Sequence, residues 1–211
     1  MKRKSGRLNL MVWQNYLAAG LIVLLVMLGG KGQAASVQGP QPPLQTEIII
    51  GRLDAPITII EYSSLTCTHC AAFHNSVFPQ LKEKYIDTGK IRFIFRPYPR
   101  DEYDLKACVA VGCVPAGASP AVLSKMMSTQ NQWMSENFLP IVSQATNIEQ
   151  SRLESLINDK NLQEAVIKKR LEAEKKYNID ATPAFLINGK IYVGVADFEH
   201  FEKILKAAYT S

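Results

Sequence analysis

Hydrophobic residues recur along the first half of this chain in two different periods. Short β-branched runs at Ile48–Ile50, Ile57–Tyr62 and Ile91–Phe95 predict three strands. Between the last two runs, apolar residues return every four positions: Phe73, Val77, Leu81 and Tyr85. This spacing predicts a helix, which Pro79 should kink. A strand, a helix and a strand in this order predict a right-handed βαβ unit around a parallel pair.

The pattern changes in the second half of the chain. Strand signals vanish over residues 101–177 and helix signals repeat, which predicts an all-helical insertion. Two further strands are predicted at Ala184–Ile187 and Lys190–Val195, with Asn188-Gly189 as the hairpin turn between them. Asp197 is expected to cap a final helix. The chain is therefore predicted to have an α/β fold interrupted by helices.

The first 46 residues have a different character. Four basic residues precede an apolar run at Leu17–Gly30, and small residues follow it, which is the order of a secretory signal peptide. We expect residues 1–35 to be a signal peptide or, if uncleaved, an N-terminal membrane anchor. In both cases the rest of the chain is exported. Residues 36–46 contain three Pro and no charge, which predicts a flexible linker.

The net charge of +5 over 211 residues comes from this N-terminal segment. Cleavage after Ala34 would remove five basic residues and no acidic residue, so the charge of the remainder falls from +5 to zero. No basic stripe is left that would suit a nucleic acid. We therefore predict no nucleic-acid partner.

Two of the four cysteines form the segment Cys67-Thr68-His69-Cys70, where a predicted buried strand ends and a helix begins. Free amides in the first turn of a helix stabilise a thiolate, and the neighbouring His69 should add to this effect. We expect Cys67 to be an exposed nucleophile and Cys70 to be the buried resolving thiol. Two alternatives are a zinc site completed by Cys108 and Cys113, and an inert structural disulfide.

The sequence resembles the DsbA family of periplasmic thiol:disulfide oxidoreductases. The segment Ile59–Cys70 and the downstream segment Ala181–Gly189 carry the resemblance. It implies a thioredoxin fold made of residues 47–100 and 181–211, with the helical insertion at residues 101–180 between the βαβ half and the C-terminal ββα half.

The resemblance also implies roles for individual residues. Cys67 would be the nucleophile, Cys70 the resolving thiol, and His69 the residue that stabilises the thiolate. Glu61, six residues before Cys67, would be a buried acid that assists proton transfer. The alternative for Glu61 is a carboxylate at the end of a strand that reaches solvent.

Thr182 and Pro183 match the loop whose cis-proline faces the active-site disulfide in this family. The loop would expose its backbone to a substrate peptide, and Thr68, Thr182 and Pro183 are predicted to bind substrate. An ordinary trans proline is the alternative. Thr68 stands where many family members have Pro, and Thr182 also resembles the isomerase and reductase branches. A disulfide isomerase or reductase therefore stays an alternative to an oxidase.

The remaining cysteines, Cys108 and Cys113, are five residues apart. They can bond only if the helix is broken near Gly112 and Pro115. Because an exported protein favours disulfides, we predict a structural disulfide between them. The two other histidines of the chain, His74 and His200, are predicted to be surface or packing residues.

The expected activity requires no metal and no organic cofactor. Reduced exported proteins are the predicted substrates, and the resemblance suggests a quinone-linked membrane protein as the redox partner. The protein is expected to be a periplasmic monomer. A zinc-dependent binding module is the alternative from a different functional class.

Overall fold

The computed structural model describes residues 43–135, 137–194 and 197–209. A mixed sheet of five strands lies at the centre of this part. Its strands are β1 (Ile48–Ile50), β2 (Ile57–Ser63), β3 (Ile91–Pro97), β4 (Ala184–Ile187) and β5 (Lys190–Val193). The spatial order is β1-β3-β2-β4-β5. Only the β2–β3 pair among these is parallel, as the predicted βαβ unit requires.

Nine α-helices occur in the described ranges. They are α1 (Thr68–Ala72), α2 (Phe78–Leu81), α3 (Glu102–Gly112), α4 (Ser119–Ser128), α5 (Gln130–Trp133), α6 (Phe138–Thr146), α7 (Gln150–Ile157), α8 (Lys160–Tyr177) and α9 (Phe198–Tyr209). Two π-helical segments, Phe73–Val77 and Lys82–Ile86, follow α1 and α2. We call the continuous helical run of residues 68–86 the active-site helix.

The active-site helix connects β2 to β3, and helices α3 to α8 all lie between β3 and β4. Pro79 is the second residue of α2, and a π-helical segment lies on each side of this short helix. The wider π-helical turns therefore flank the one residue that has no amide hydrogen to donate. The β4–β5 turn places Asn188 at φ 47° and Gly189 at φ 79°. These values suit the two central positions of a hairpin turn. The predicted α/β architecture with a helical insertion is confirmed.

Aromatic packing fixes the active-site helix on the sheet. The ring of Phe73 lies 6.3 Å from that of Phe93 on β3, 4.7 Å from Phe185 on β4 and 5.8 Å from Phe201 on α9. All four residues are buried. Each aromatic pair contributes about 1 kcal/mol beyond the area that it buries. The helix turn that follows Cys70 is thus held from both the sheet and the C-terminal helix.

The predicted flexible linker is wrong for its last residues. Leu44 packs against the core, and the amide of Gln45 donates to the Gly112 oxygen at 2.8 Å. The Gln45 side chain donates to the Val114 oxygen. Leu44 contributes an apolar contact and Gln45 contributes hydrogen bonds, and both residues thereby contact the insertion. A side chain on Gly112 would lie 2.7 Å from the Gln45 oxygen, so this contact requires glycine.

The predicted signal peptide or anchor at residues 1–35 lies outside the described residues. Among the helices of residues 43–135, 137–194 and 197–209, none has both the length and the apolar character needed to cross a bilayer.

Candidate active site

Cys67 and Cys70 lie at the start of the active-site helix. Cys67 is the N-cap residue of α1, with extended backbone angles of φ −81° and ψ 122°, and its oxygen accepts from the Ala71 amide at 3.0 Å. Cys70 is fully buried, and Cys67 is only 3% exposed. Cys67 is therefore less accessible than its sequence position predicts. Both residues are free thiols in this structure.

The surroundings of Cys67 favour its thiolate. A hydrogen bond from the Cys70 thiol is the largest influence, and together with weaker ones it lowers the Cys67 pKa to about 4. The Thr182 side chain and the backbone amides of Cys70 and His69 act in the same direction, whereas burial opposes them. The amide contribution follows from the position of Cys67 in front of the first helical turn.

The surroundings of Cys70 have the opposite effect. Burial raises the pKa of the Cys70 thiol, and the hydrogen bond that it gives to Cys67 and the charge of Glu61 raise it further. Hydrogen bonds from Ser63 and Ser64 oppose this shift. At neutral pH the site therefore holds one thiolate, on Cys67, and one neutral thiol, on Cys70.

The two residues between the cysteines are both exposed. His69 contributes its backbone amide to the lowered pKa of Cys67. The sequence predicts a stabilising effect of its imidazole, and that remains a prediction. Thr68 faces a cavity of about 370 Å³, which is also lined by Ala72, Met127 and Gln130.

The loop before β4 packs against Cys67. The Thr182–Pro183 peptide bond is cis, as the resemblance implies. The Cys67 Sγ lies 3.5 Å from the Thr182 oxygen. Thr182 and His69 also line a second cavity of about 560 Å³, on the side of Cys67 where α8 ends.

Glu61 on β2 is fully buried, so it does not reach solvent. Its Oε2 lies 2.8 Å from the Nε2 of His74, whose side chain is 1% exposed. The sequence predicts a surface or packing role for His74, and the surface alternative is wrong. The helical period could have indicated this, because His74 and Phe78 are four residues apart and form a row beside the apolar residues Phe73 and Val77.

Side chains from the insertion hold the loop that leads to Cys67. Asp104 on α3 accepts from the Leu65 amide at 2.9 Å. Gln130, at the start of α5, donates to the Leu65 oxygen at 2.7 Å and to the Cys67 oxygen at 3.2 Å. Neither residue stands out in the sequence, because their partners are 39 and 65 residues away.

Comparison with known proteins identifies the family to which this chain belongs. Residues 44–207 match the thioredoxin family. The crystal structure of Wolbachia pipientis alpha-DsbA1 is 31% identical, with a TM-score of 0.71, over 80% of this chain and 93% of that chain. The chain belongs to the DsbA family.

Two other relatives share part of the sequence. A Rickettsia bellii protein named as a protein-disulfide oxidoreductase is 29% identical over 150 residues, and a Bacillus subtilis disulfide bond formation protein D is 22% identical over 175. The matches cover 69% and 79% of this chain. The chain spans 58% of the length of the Rickettsia bellii relative and 78% of the Bacillus subtilis one.

The structure does not contain the disulfide predicted between Cys108 and Cys113. Both residues are buried, and no disulfide joins them in this structure. Helix α3 ends at Gly112 and Cys113 is its C-cap residue, so the helix break that a bond would need is present, but the two sulfurs are not joined. Instead, Cys108 donates to Asp104 Oδ1 at 3.5 Å. Burial raises the Cys108 pKa well above its usual value, which keeps this thiol neutral.

The cysteines of this DsbA-family chain do not form a metal-ligand set. Within residues 43–135, 137–194 and 197–209, no three His, Cys, Asp or Glu side chains come close enough to share a metal ion. The zinc alternative thus lacks the four ligands that a structural site uses.

Proposed function

We propose that this protein is an exported thiol:disulfide oxidoreductase that introduces disulfides into reduced exported proteins. A substrate thiolate attacks the Cys67 sulfur of the Cys67–Cys70 disulfide. A mixed disulfide forms on Cys67, and Cys70 leaves and takes up a proton. A second substrate thiolate then attacks the substrate sulfur of the mixed disulfide and releases Cys67 as a thiolate. Two electrons pass from the substrate to the cysteine pair.

One observation carries the direction of this reaction. The lowered pKa of Cys67 stabilises the reduced pair, so the disulfide is a good electron acceptor. A thiolate with a pKa near 4 is also a good leaving group when the substrate disulfide forms. The name of the Rickettsia bellii relative supports the same class of activity.

The substrate site proposed here consists of the surface around Cys67. The Thr182 oxygen, directly before the cis Pro183, lies 3.5 Å from the Cys67 sulfur, and Thr68 follows Cys67 in the chain. Cys67 and Thr182 line a cavity of about 560 Å³, and Thr68 lines a second cavity of about 370 Å³. An extended, reduced segment of a protein could lie across this surface and pair with the Thr182 backbone. Cys67 is 3% exposed, so the attacking thiolate must approach between these residues.

Re-oxidation requires an electron acceptor, for which we propose a quinone-linked membrane protein. The basic and apolar N-terminal segment supports a periplasmic location, either released or anchored. We propose that the protein acts as a monomer.

The equilibrium potential of the Cys67–Cys70 pair against glutathione tests the proposed direction. We expect a potential at or above that of protein disulfide isomerase, about −180 mV. A potential near that of thioredoxin, about −270 mV, would favour a reductase instead. A Cys67→Ser variant should show no active-site disulfide, and oxidation of a reduced substrate protein should depend on Cys67.

Isomerase activity remains the second candidate, because Thr182 before the cis-proline also resembles that branch. An isomerase must be held reduced and must rearrange a scrambled substrate without a net transfer of electrons. Refolding of a scrambled substrate by the reduced protein measures this activity. We expect refolding to be slow compared with the oxidation of a fully reduced substrate.

A further inference from the structure

Beneath the cysteine pair lies a buried pair of titratable side chains, Glu61 and His74. The Glu61 Oε2 and the His74 Nε2 are 2.8 Å apart, and both side chains are at most 1% exposed. The other polar atom of each group, Glu61 Oε1 and His74 Nδ1, is buried and has no hydrogen-bond partner in the described residues. The pair therefore has one oxygen and one nitrogen that are free to exchange a proton.

Packing alone does not require a histidine at this position. The four rings that contact His74 are all phenylalanines, with centroid distances of 5.0 to 6.5 Å: Phe73, Phe78, Phe93 and Phe95. A phenylalanine would fill the same space with a similar flat ring. The imidazole adds a hydrogen-bond partner for Glu61, because a buried carboxylate without one is costly.

The surroundings limit which groups can exchange a proton with this pair. On the active-site helix, Cys70 lies four residues before His74, on the same helix face. The neighbouring strands contribute apolar rings: Phe93 and Phe95 from β3, and Phe185 from β4, which is opposite Glu61 in the sheet register. Helix α9 contributes Phe201. Among the groups described around it, Cys70 and, beyond it, Cys67 are the titratable neighbours of the pair.

We propose that His74 is a positioning residue that holds Glu61 through Oε2 and leaves Oε1 to exchange a proton with Cys70. This inference rests on the proposed function. When Cys70 leaves as a thiolate, one proton moves from the Glu61–His74 pair to the Cys70 sulfur, and no electron moves in that step. The net charge of the buried cluster stays the same, because the proton moves within it: the Glu61–His74 pair becomes more negative by one charge and Cys70 becomes neutral. In the reverse direction, Glu61 takes the proton from Cys70 before Cys70 attacks.

The reaction of the reduced protein with a chromogenic aromatic disulfide, dithiobis-nitrobenzoate, separates the two cysteines. Attack by the Cys67 thiolate releases one coloured thiolate in a second-order phase. Cys70 then loses its proton and attacks Cys67, which releases the second coloured thiolate in a first-order phase. Only the second phase requires the proton transfer in which Glu61 takes part.

We expect His74→Phe to slow the second phase about tenfold at neutral pH, as part of a general acid–base contribution. Its pH profile between pH 5 and pH 8 should change shape, and the first phase should stay within twofold of the parent rate. His74→Gln, whose amide can still donate to Glu61, should restore most of the second phase. His200→Asn, which removes an exposed histidine from α9, should change neither phase.

Three results would overturn this inference. The first is an unchanged rate of the second phase in His74→Phe, and the second is equal slowing of both phases. The third is slowing of the second phase by the same factor at every pH, because a purely structural role predicts that result. If His74→Phe does not fold, His74→Leu provides the same deletion. If the parent protein shows no second phase, the proposed function fails rather than the role of His74.

Discussion

Reduction of the Cys67–Cys70 disulfide should change the stability of the protein by an amount that depends on pH. In the folded state the Cys67 pKa is lowered to about 4, whereas an unfolded cysteine titrates near pH 8.5. A group whose pKa is lowered by folding stabilises the folded state when it is ionised. This stabilisation is fully present above about pH 8.5 and is lost as the pH falls through about 4.

The size of the effect follows from the width of that window. Each pH unit within it contributes about 1.4 kcal/mol to the free energy of unfolding. Between pH 4 and pH 7, the free energy of unfolding of the reduced protein should therefore rise by about 4 kcal/mol relative to that of the oxidised protein. The same energy corresponds to about 90 mV in the potential of a two-electron couple. Cys70 does not interfere below about pH 8, because its raised pKa keeps it neutral in the folded state and an unfolded thiol is also neutral there.

Guanidinium unfolding of the oxidised and the reduced protein at a series of pH values measures this difference. Groups that titrate alike in both forms cancel, so the difference in free energy of unfolding isolates the cysteine pair. In reduced Cys67→Ser, the rise with pH should be absent. A difference between the two redox forms that is flat within about 1 kcal/mol from pH 4 to pH 7 would refute the stabilised thiolate.

Three further substitutions test the structure around the pair. Thr182→Val removes the side-chain hydroxyl that helps to lower the Cys67 pKa but keeps the backbone oxygen that contacts the sulfur. The Cys67 pKa should rise, measured by the ultraviolet absorbance of the thiolate; an unchanged titration would contradict the contribution of the hydroxyl. Gln130→Met removes the hydrogen bond to the buried Leu65 carbonyl and one of the two hydrogen bonds to the Cys67 carbonyl, which keeps the Ala71 amide. It should destabilise the protein by about 1–3 kcal/mol in denaturant unfolding; a loss below about 0.5 kcal/mol would show that the Leu65 carbonyl finds another partner. Gly112→Ala places a carbon 2.7 Å from a backbone oxygen and should cost about 1–3 kcal/mol in the same assay. Gly117→Ala is its control, with nothing within 4 Å of the added carbon, and an equal loss in both would refute the clash.

Local sequence signals predicted the parts of the fold that depend on local physics. The Asn188-Gly189 turn requires two positive φ values, and these are the residues that adopt them at low cost. The strand at Ile57 and the helix after Cys67 follow from the change of apolar period. The position of Cys67 as the N-cap of α1 follows from the same change, and it brings the amides of His69 and Cys70, which add to the lowering of the Cys67 pKa.

The parts that sequence analysis missed depend on contacts between distant residues. Gln130 and Asp104 look like ordinary polar residues of helices until the fold brings them to Leu65, 65 and 39 residues away. The pairing of His74 with Glu61 crosses from a helix to a strand, and no local pattern encodes such a distance.

These distant contacts make the helical insertion part of the redox site. The amides of His69 and Cys70 lower the Cys67 pKa because the direction in which the chain enters the helix lets them point at the Cys67 sulfur. That direction depends on Leu65, whose amide and oxygen are both hydrogen-bonded to side chains of the insertion. The second hydrogen bond of Gln130 is to Cys67 itself. A thioredoxin-like core without these helices would keep both cysteines but would lose the hydrogen bonds that fix the backbone around the nucleophile. The insertion therefore helps to set the acidity of Cys67.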